Sequence, residues 1–154
     1  MVERTRGYAH RVDIQAPCEY VWRALIDPAL LARWCGSEAH VDARPGGSHT
    51  VRLDRTTERV AHIDVFDPPR RLRLIYMPQP YWPSAECVIV DDFIVVGDGN
   101  GSLVRLLGSG VPEQRSWDPL ATQLRDGWGR ALLRLKVAVE KARMAESPRA
   151  RSAR

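Results

Sequence analysis

The chain has 154 residues, 44% of them apolar and 27% charged, with a formal charge of +4, which is the length of one domain able to bury a core without disulfides or metals. The longest apolar runs, 88–90 and 93–96, fall far short of the ~20 residues a membrane span needs, the first residues carry no apolar leader, and the apolar content excludes disorder throughout. Nucleic-acid binding is excluded by where the charge sits: taking Arg149, Arg151 and Arg154 from the 23 basic residues leaves 20 against 19 acidic ones, with no stripe of Lys and Arg to displace counterions from phosphates.

Tyr8, His10, Val12 and Ile14 alternate with Arg11 and Asp13, a period of two that predicts a half-buried strand over 8–14. Pro17 suits a first helical turn, and Tyr20, Val21, Trp22, Ala24, Leu25 and Ile26 supply the buried stripe of a helix. Asp27 and Pro28 cap and open a second, short helix through Leu30 and Leu31 to Trp34.

Strands and turns follow. Arg44-Pro45-Gly46-Gly47 predicts a tight turn between strands 39–43 and 48–53. Ala61, Ile63 and Val65 alternate against His62 and Asp64, and Asp67-Pro68-Pro69 ends that strand. Strand 72–76 leads to a loop rich in proline and aromatics, 77–83. A long run, 86–96, turns at the glycine-rich segment 97–101 into strand 102–107. Short turns predict that the seven strands are antiparallel.

Asp118 and Pro119 open a final helix to about residue 145. Leu124, Trp128, Ala131, Leu132, Leu135, Val139 and Ala142 share one face at 100° per residue, and Leu133 and Val137 lie outside it. Gly127 and Gly129 each cost about 1 kcal/mol of helix propensity, which predicts close approach of the helix backbone to a neighbour. Residues 147–154 form a basic tail with no apolar face, expected to be disordered. One sheet and one long helix bury a core when the sheet curls around the helix, with the two short helices plugging an open end. Such a shape predicts an internal cavity for a small molecule.

Several segments in register resemble the START-like superfamily (SRPBCC) with its helix-grip fold, closest to the group named after the C-terminal domain of Hsp90 ATPase activator homologues. They are Ile14-Gln15-Ala16-Pro17-Cys18-Glu19-Tyr20-Val21-Trp22-Arg23-Ala24-Leu25, then Asp27-Pro28-Ala29-Leu30-Leu31-Ala32-Arg33-Trp34, Arg44-Pro45-Gly46-Gly47, Asp67-Pro68-Pro69-Arg70-Arg71-Leu72 and the Gly127-Trp128, Ala131-Leu132, Leu135 pattern. The resemblance implies an α+β fold with a seven-stranded antiparallel curved sheet wrapped around a long C-terminal helix, two short helices following the first strand. It divides the chain into an N-terminal extension at 1–7, one domain at 8–146 and the tail at 147–154. One departure is Gly108-Ser109-Gly110, where relatives often end the last strand His-Ser-Gly; if that histidine lines the cavity in relatives, the pocket here has lost an imidazole and gained space.

The function expected from this reading is binding of a small apolar or amphipathic molecule between sheet and helix, in the cytoplasm. The alternatives are a polyketide cyclase- or aromatase-like enzyme in the same cavity, or a module acting on a chaperone. No Ser-His-Asp order, metalloprotease motif, phosphate loop or carboxylate pair marks a catalytic centre, so whether a reaction is catalysed stays open. Three cysteines without CxxC spacing and four histidines without an i,i+4 pair predict no metal and no cofactor. The residues expected to line the cavity are Trp34, Tyr76, Trp82, Asp92, Leu106, Leu124, Trp128 and Leu135. The expected partner is a small hydrophobic or amphipathic ligand, with no nucleic acid or membrane and with a homodimer open.

Overall fold

The computed structural model describes residues 3–146. Strand β1 (Thr5–Ile14) leads through helices α1 (Cys18–Ile26) and α2 (Pro28–Trp34) to strands β2 (Glu38–Val41), β3 (Ser48–Arg52), β4 (Glu58–Asp67), β5 (Arg71–Tyr76), β6 (Val90–Asp98) and β7 (Gly101–Pro112). A single 3-10 turn (Arg115–Trp117) then enters the long helix α3 (Asp118–Ala145). The strands form one antiparallel sheet in the order β1-β7-β6-β5-β4-β3-β2. Consecutive strands β1 and β2 are therefore opposite edges, and α1 and α2 carry the chain from one to the other.

The local chemistry accounts for these breaks. Asp27 ends α1 and caps α2, its Oδ1 accepting the Ala29 N–H at 2.9 Å, with Pro28 in the first turn. Ser102 Oγ donates to Ala16 O at 2.6 Å, tying β7 to the start of α1. Along α3, His10 Nε2 donates to Arg125 O at 2.7 Å, Lys136 Nζ to Asp13 O at 2.7 Å and Arg143 to Gln15 O at 2.7 Å, so the helix is pinned to β1 and the segment after it.

Two expectations about the elements are corrected. The first strand begins at Thr5 rather than at residue 8, and its pairing with β7 runs from Thr5 opposite Pro112 to Ile14 opposite Ser102, slipping between Arg6 and Tyr8. The run 86–96 enters the sheet only at Val90; before it, Ile89 O still accepts the Tyr76 N–H at 3.0 Å while Cys87 sits in the preceding loop. The basic tail at 147–154 lies outside the described residues. No helix among those described is long and apolar enough to cross a membrane.

The helix glycines divide. A Cβ on Gly129 would stand 3.2 Å from the His10 ring, the close approach its cost predicts, whereas a Cβ on Gly127 would meet nothing within 4 Å. Gly127 borders an open pocket instead.

Candidate functional site

Aromatic rings fill the space between the middle of the sheet and α3. Trp128 stands in a T-shaped contact with Phe93 at 5.5 Å and tilts against Trp34 at 6.4 Å. Trp34 is anchored in turn by its Nε1–H, which donates to Ala24 O at 2.8 Å. About 10 Å³ remains among Leu25, Trp34, His49, Leu72, Phe93 and Trp128, barely the room of one water. The spacious internal cavity expected from the fold is closed.

One open volume lies at the edge of this wall, and a second, of about 730 Å³, lies against Leu133 and Val137 on the outward side of α3. A pocket of about 450 Å³ separates α3 from the turn between β3 and β4. Its apolar surface comes from Leu53, Leu120, Leu124, Trp128 and Ala131, with Tyr81 at one end; Asp54, Thr57, Gln123, Arg130 and Arg134 give a polar rim, and Arg59 and Cys35 sit at the inner end. Arg134 is held in place by donating from Nε to Trp34 O at 2.9 Å.

Arg59 is the second residue of β4, on the inward-facing phase that Ala61 and Ile63 continue. Its guanidinium lies 4.5 Å from the centroid of the Trp128 ring and 5.6 Å from that of Tyr76, and Nη2 donates to Cys35 Sγ at 2.9 Å. Behind it, Asp91 is 1% exposed, and Tyr8 Oη donates to Asp91 Oδ1 at 2.5 Å. Tyr76 Oη is sealed from solvent beside this pair without closing a hydrogen bond to the described residues. Burial pushes the Asp91 carboxyl above the ordinary carboxylate range, against the tyrosine hydroxyls and the Arg59 charge that pull it down. Burial, with Asp91 alongside, likewise raises the Tyr8 phenol. These groups lie behind Trp128 and Arg59 and do not line the pocket.

Of the residues expected at the site, Leu124 and Trp128 line the open pocket. Trp34 faces the 10 Å³ void, while Leu106 and Leu135 are closed into the core. Tyr76 is buried in the Asp91 cluster. Two placements are corrected. Trp82 turns from the pocket to pack edge-on against Trp117 at 5.8 Å, and its neighbour Tyr81 takes the pocket position. Asp92 points to the outer face, where Arg71 binds it through two hydrogen bonds of 3.0 and 2.7 Å; Asp91 is the inward carboxylate. Alternation forces this, because Phe93 and Val95 are buried and Asp91 shares their phase. Arg59 could have been found the same way, by extending the phase of Ala61 and Ile63 back two residues. Cys35 and Tyr81 carried no comparable signal.

A seven-stranded antiparallel sheet folded over a long C-terminal helix, with paired short helices after the first strand, defines a helix-grip protein of the START-like superfamily. The chain belongs to the family described as Activator of Hsp90 ATPase homolog 1-like protein, whose profile matches residues 15–140. Among solved structures, protein MLL2253 from Mesorhizobium loti is similar at 18% identity with a TM-score of 0.78, over 88% of this chain and 98% of that one. The Aha1 dimer from Colwellia psychrerythraea is similar at 19% identity and a TM-score of 0.71, over 88% and 96%. CalU16 from Micromonospora echinospora is similar at 20% identity and a TM-score of 0.65, over 94% and 90%. At such identities the likeness concerns the fold. No curated protein matches the sequence significantly.

Proposed function

We propose that the chain binds a small amphipathic molecule in the pocket between α3 and the β3–β4 turn, in the cytoplasm. The observation that carries this reading is the pocket itself: about 450 Å³ with an apolar floor and a polar rim, the size and lining of small-molecule sites. The test is native mass spectrometry of freshly purified protein, followed by denaturing extraction. The expected result is a stoichiometric adduct that denaturation releases. A clean apo mass, together with no melting shift from a panel of alkyl and aryl amphiphiles, overturns the reading.

The family membership favours a second reading, a module that modulates a chaperone ATPase and pairs with a second copy as the Colwellia relative does. Leu133 and Val137, 61% and 66% exposed on the outward face of α3, offer an apolar surface for such contacts. An unchanged Hsp90 ATPase rate on addition of the chain removes this reading. A cyclase-like enzyme has less support, since Asp91 and Tyr8 stand behind the aromatic wall rather than in the pocket.

A further inference from the structure

Arginines on the sheet are mostly paired. Arg52 meets Glu58 at 3.1 Å, Arg71 meets Asp92 at 2.7 Å and Arg73 approaches Asp64 at 3.7 Å, all on the solvated face. Arg11 and Arg105 have no ion-pair partner among the described residues but stand exposed to water; Arg59 lacks one on the inner face. It is drawn in among Trp128, Tyr76 and Cys35, and among the described residues its one hydrogen bond goes to the Cys35 sulfur, a weak acceptor. A guanidinium keeps its charge in proteins and carries five N–H donors. The buried acid behind it, Asp91, is already engaged by Tyr8 and makes no hydrogen bond to Arg59 among the described residues. Arg59 is half-buried and lines the inner end of the pocket.

A partly desolvated cation without a bonded anion is costly unless a binding partner supplies the anion. The rim adds to the field: Arg130 and Arg134 lie on the α3 side, against the single carboxylate of Asp54 across the pocket. Planar guanidinium donors match a carboxylate two N–H groups at a time. We propose that the molecule held in this pocket is an amphipathic organic acid, its carboxylate bound by Arg59 and its apolar part against Leu120, Leu124 and Trp128. This rests on the pocket-binding reading above.

The test is isothermal titration of the full chain at pH 7.5 with matched acid and alcohol pairs: decanoate with decanol, and 2-naphthylacetate with 2-naphthylethanol. The acid of at least one pair is expected to bind at least tenfold tighter than its alcohol. Arg59→Met, checked as folded by circular dichroism and melting, is expected to equalise the two, while Arg59→Lys keeps part of the preference and Arg130→Gln keeps most of it. An acid preference that survives Arg59→Met overturns the role of Arg59. Alcohols binding as tightly as acids, with both lost in Gly127→Leu, overturn the acid assignment and leave the pocket reading standing. Absence of binding by every member of both pairs overturns both. The acid-to-alcohol ratio is read on the unmodified protein, so it stands even where a variant fails to fold.

Discussion

The Tyr8 ring lies directly over Gly108 on the neighbouring strand, so closely that a Cβ at position 108 would stand 2.1 Å from Tyr8 Cζ. The inward volume beside position 108 is therefore occupied by a tyrosine from β1. No space is gained there, contrary to what the missing imidazole suggests. The ring crosses the β7 backbone to deliver its hydroxyl to Asp91 on β6, so three adjacent strands are joined by one side chain.

Gly108→Ala should accordingly destabilise the fold by about 1–3 kcal/mol, the usual cost of overpacking, read as a shift in the urea midpoint. The same change in a Tyr8→Ala background should cost much less. A double-mutant cycle showing no coupling between the two positions would contradict the contact.

The two glycines of α3 should respond oppositely to alanine. Gly127→Ala adds a Cβ to open space and should stabilise the protein by up to about 1 kcal/mol through helix propensity. Gly129→Ala must displace the His10 ring, 3.2 Å away, with its hydrogen bond to Arg125 O. It should show no gain or a loss. Thermal melting of both variants decides the matter.

His49 on β3 is buried with Nε2 3.1 Å from Leu25 O at the end of α1. Burial above all lowers its pKa to about 4, so the neutral ring is the folded form and Nε2–H is the donor. Between pH 4 and the unfolded value near 6.5, the unfolded chain binds the extra proton. The stability due to His49 is thus complete above pH 6.5 and is lost as pH falls to about 4. The slope is at most about 1.4 kcal/mol per pH unit. Urea titrations from pH 4 to 8 should show this slope in the natural chain and a flatter one in His49→Gln.

The adjacent aspartates should differ sharply. Asp92→Asn removes a surface partner of Arg71 and should cost no more than about 1 kcal/mol. Asp91→Leu leaves the buried Tyr8 hydroxyl without an acceptor and should cost about 1–3 kcal/mol. Asp91→Asn keeps an acceptor and removes the ionisable group. Because the folded-state pKa of Asp91 is raised, the natural chain gains stability relative to Asp91→Asn as pH falls towards the ordinary carboxylate range, and loses it as pH rises. Equal urea midpoint shifts for Asp91→Leu and Asp92→Asn would put the wrong carboxylate inside.

What the sequence disclosed follows from how strongly each pattern was marked. Caps such as Asp27 with Pro28, the alternation around Ala61 and the 3.6-residue face of α3 are local and strong, so the elements and their order were legible. The phase of β6 is hidden because Phe93, Ile94, Val95 and Val96 are apolar on both faces, so the sequence does not distinguish Asp91 from Asp92 as the inward carboxylate. Arg59 was readable from the β4 alternation, yet beside Glu58 it looked like one more solvated charge. Cys35 and Tyr81 meet Arg59 and α3 through tertiary packing, which no local pattern encodes. The filled interior depends on Trp34, Phe93 and Trp128 meeting across the fold, and periodicity gives their direction without the distance between them.

The strand order has a consequence for how the chain acquires its shape. Strands β2 to β7 form a meander of nearest neighbours, each able to pair soon after it is made. Strand β1 has to wait for β7, whose pairing residues lie about 90 to 110 positions later. During synthesis the first strand thus emerges well before its mate, with an unsatisfied backbone edge and the Tyr8 ring still in water. The edge of β7 stays open until β1 docks, and this interval is when a newly made chain is most exposed to pairing with another copy of itself.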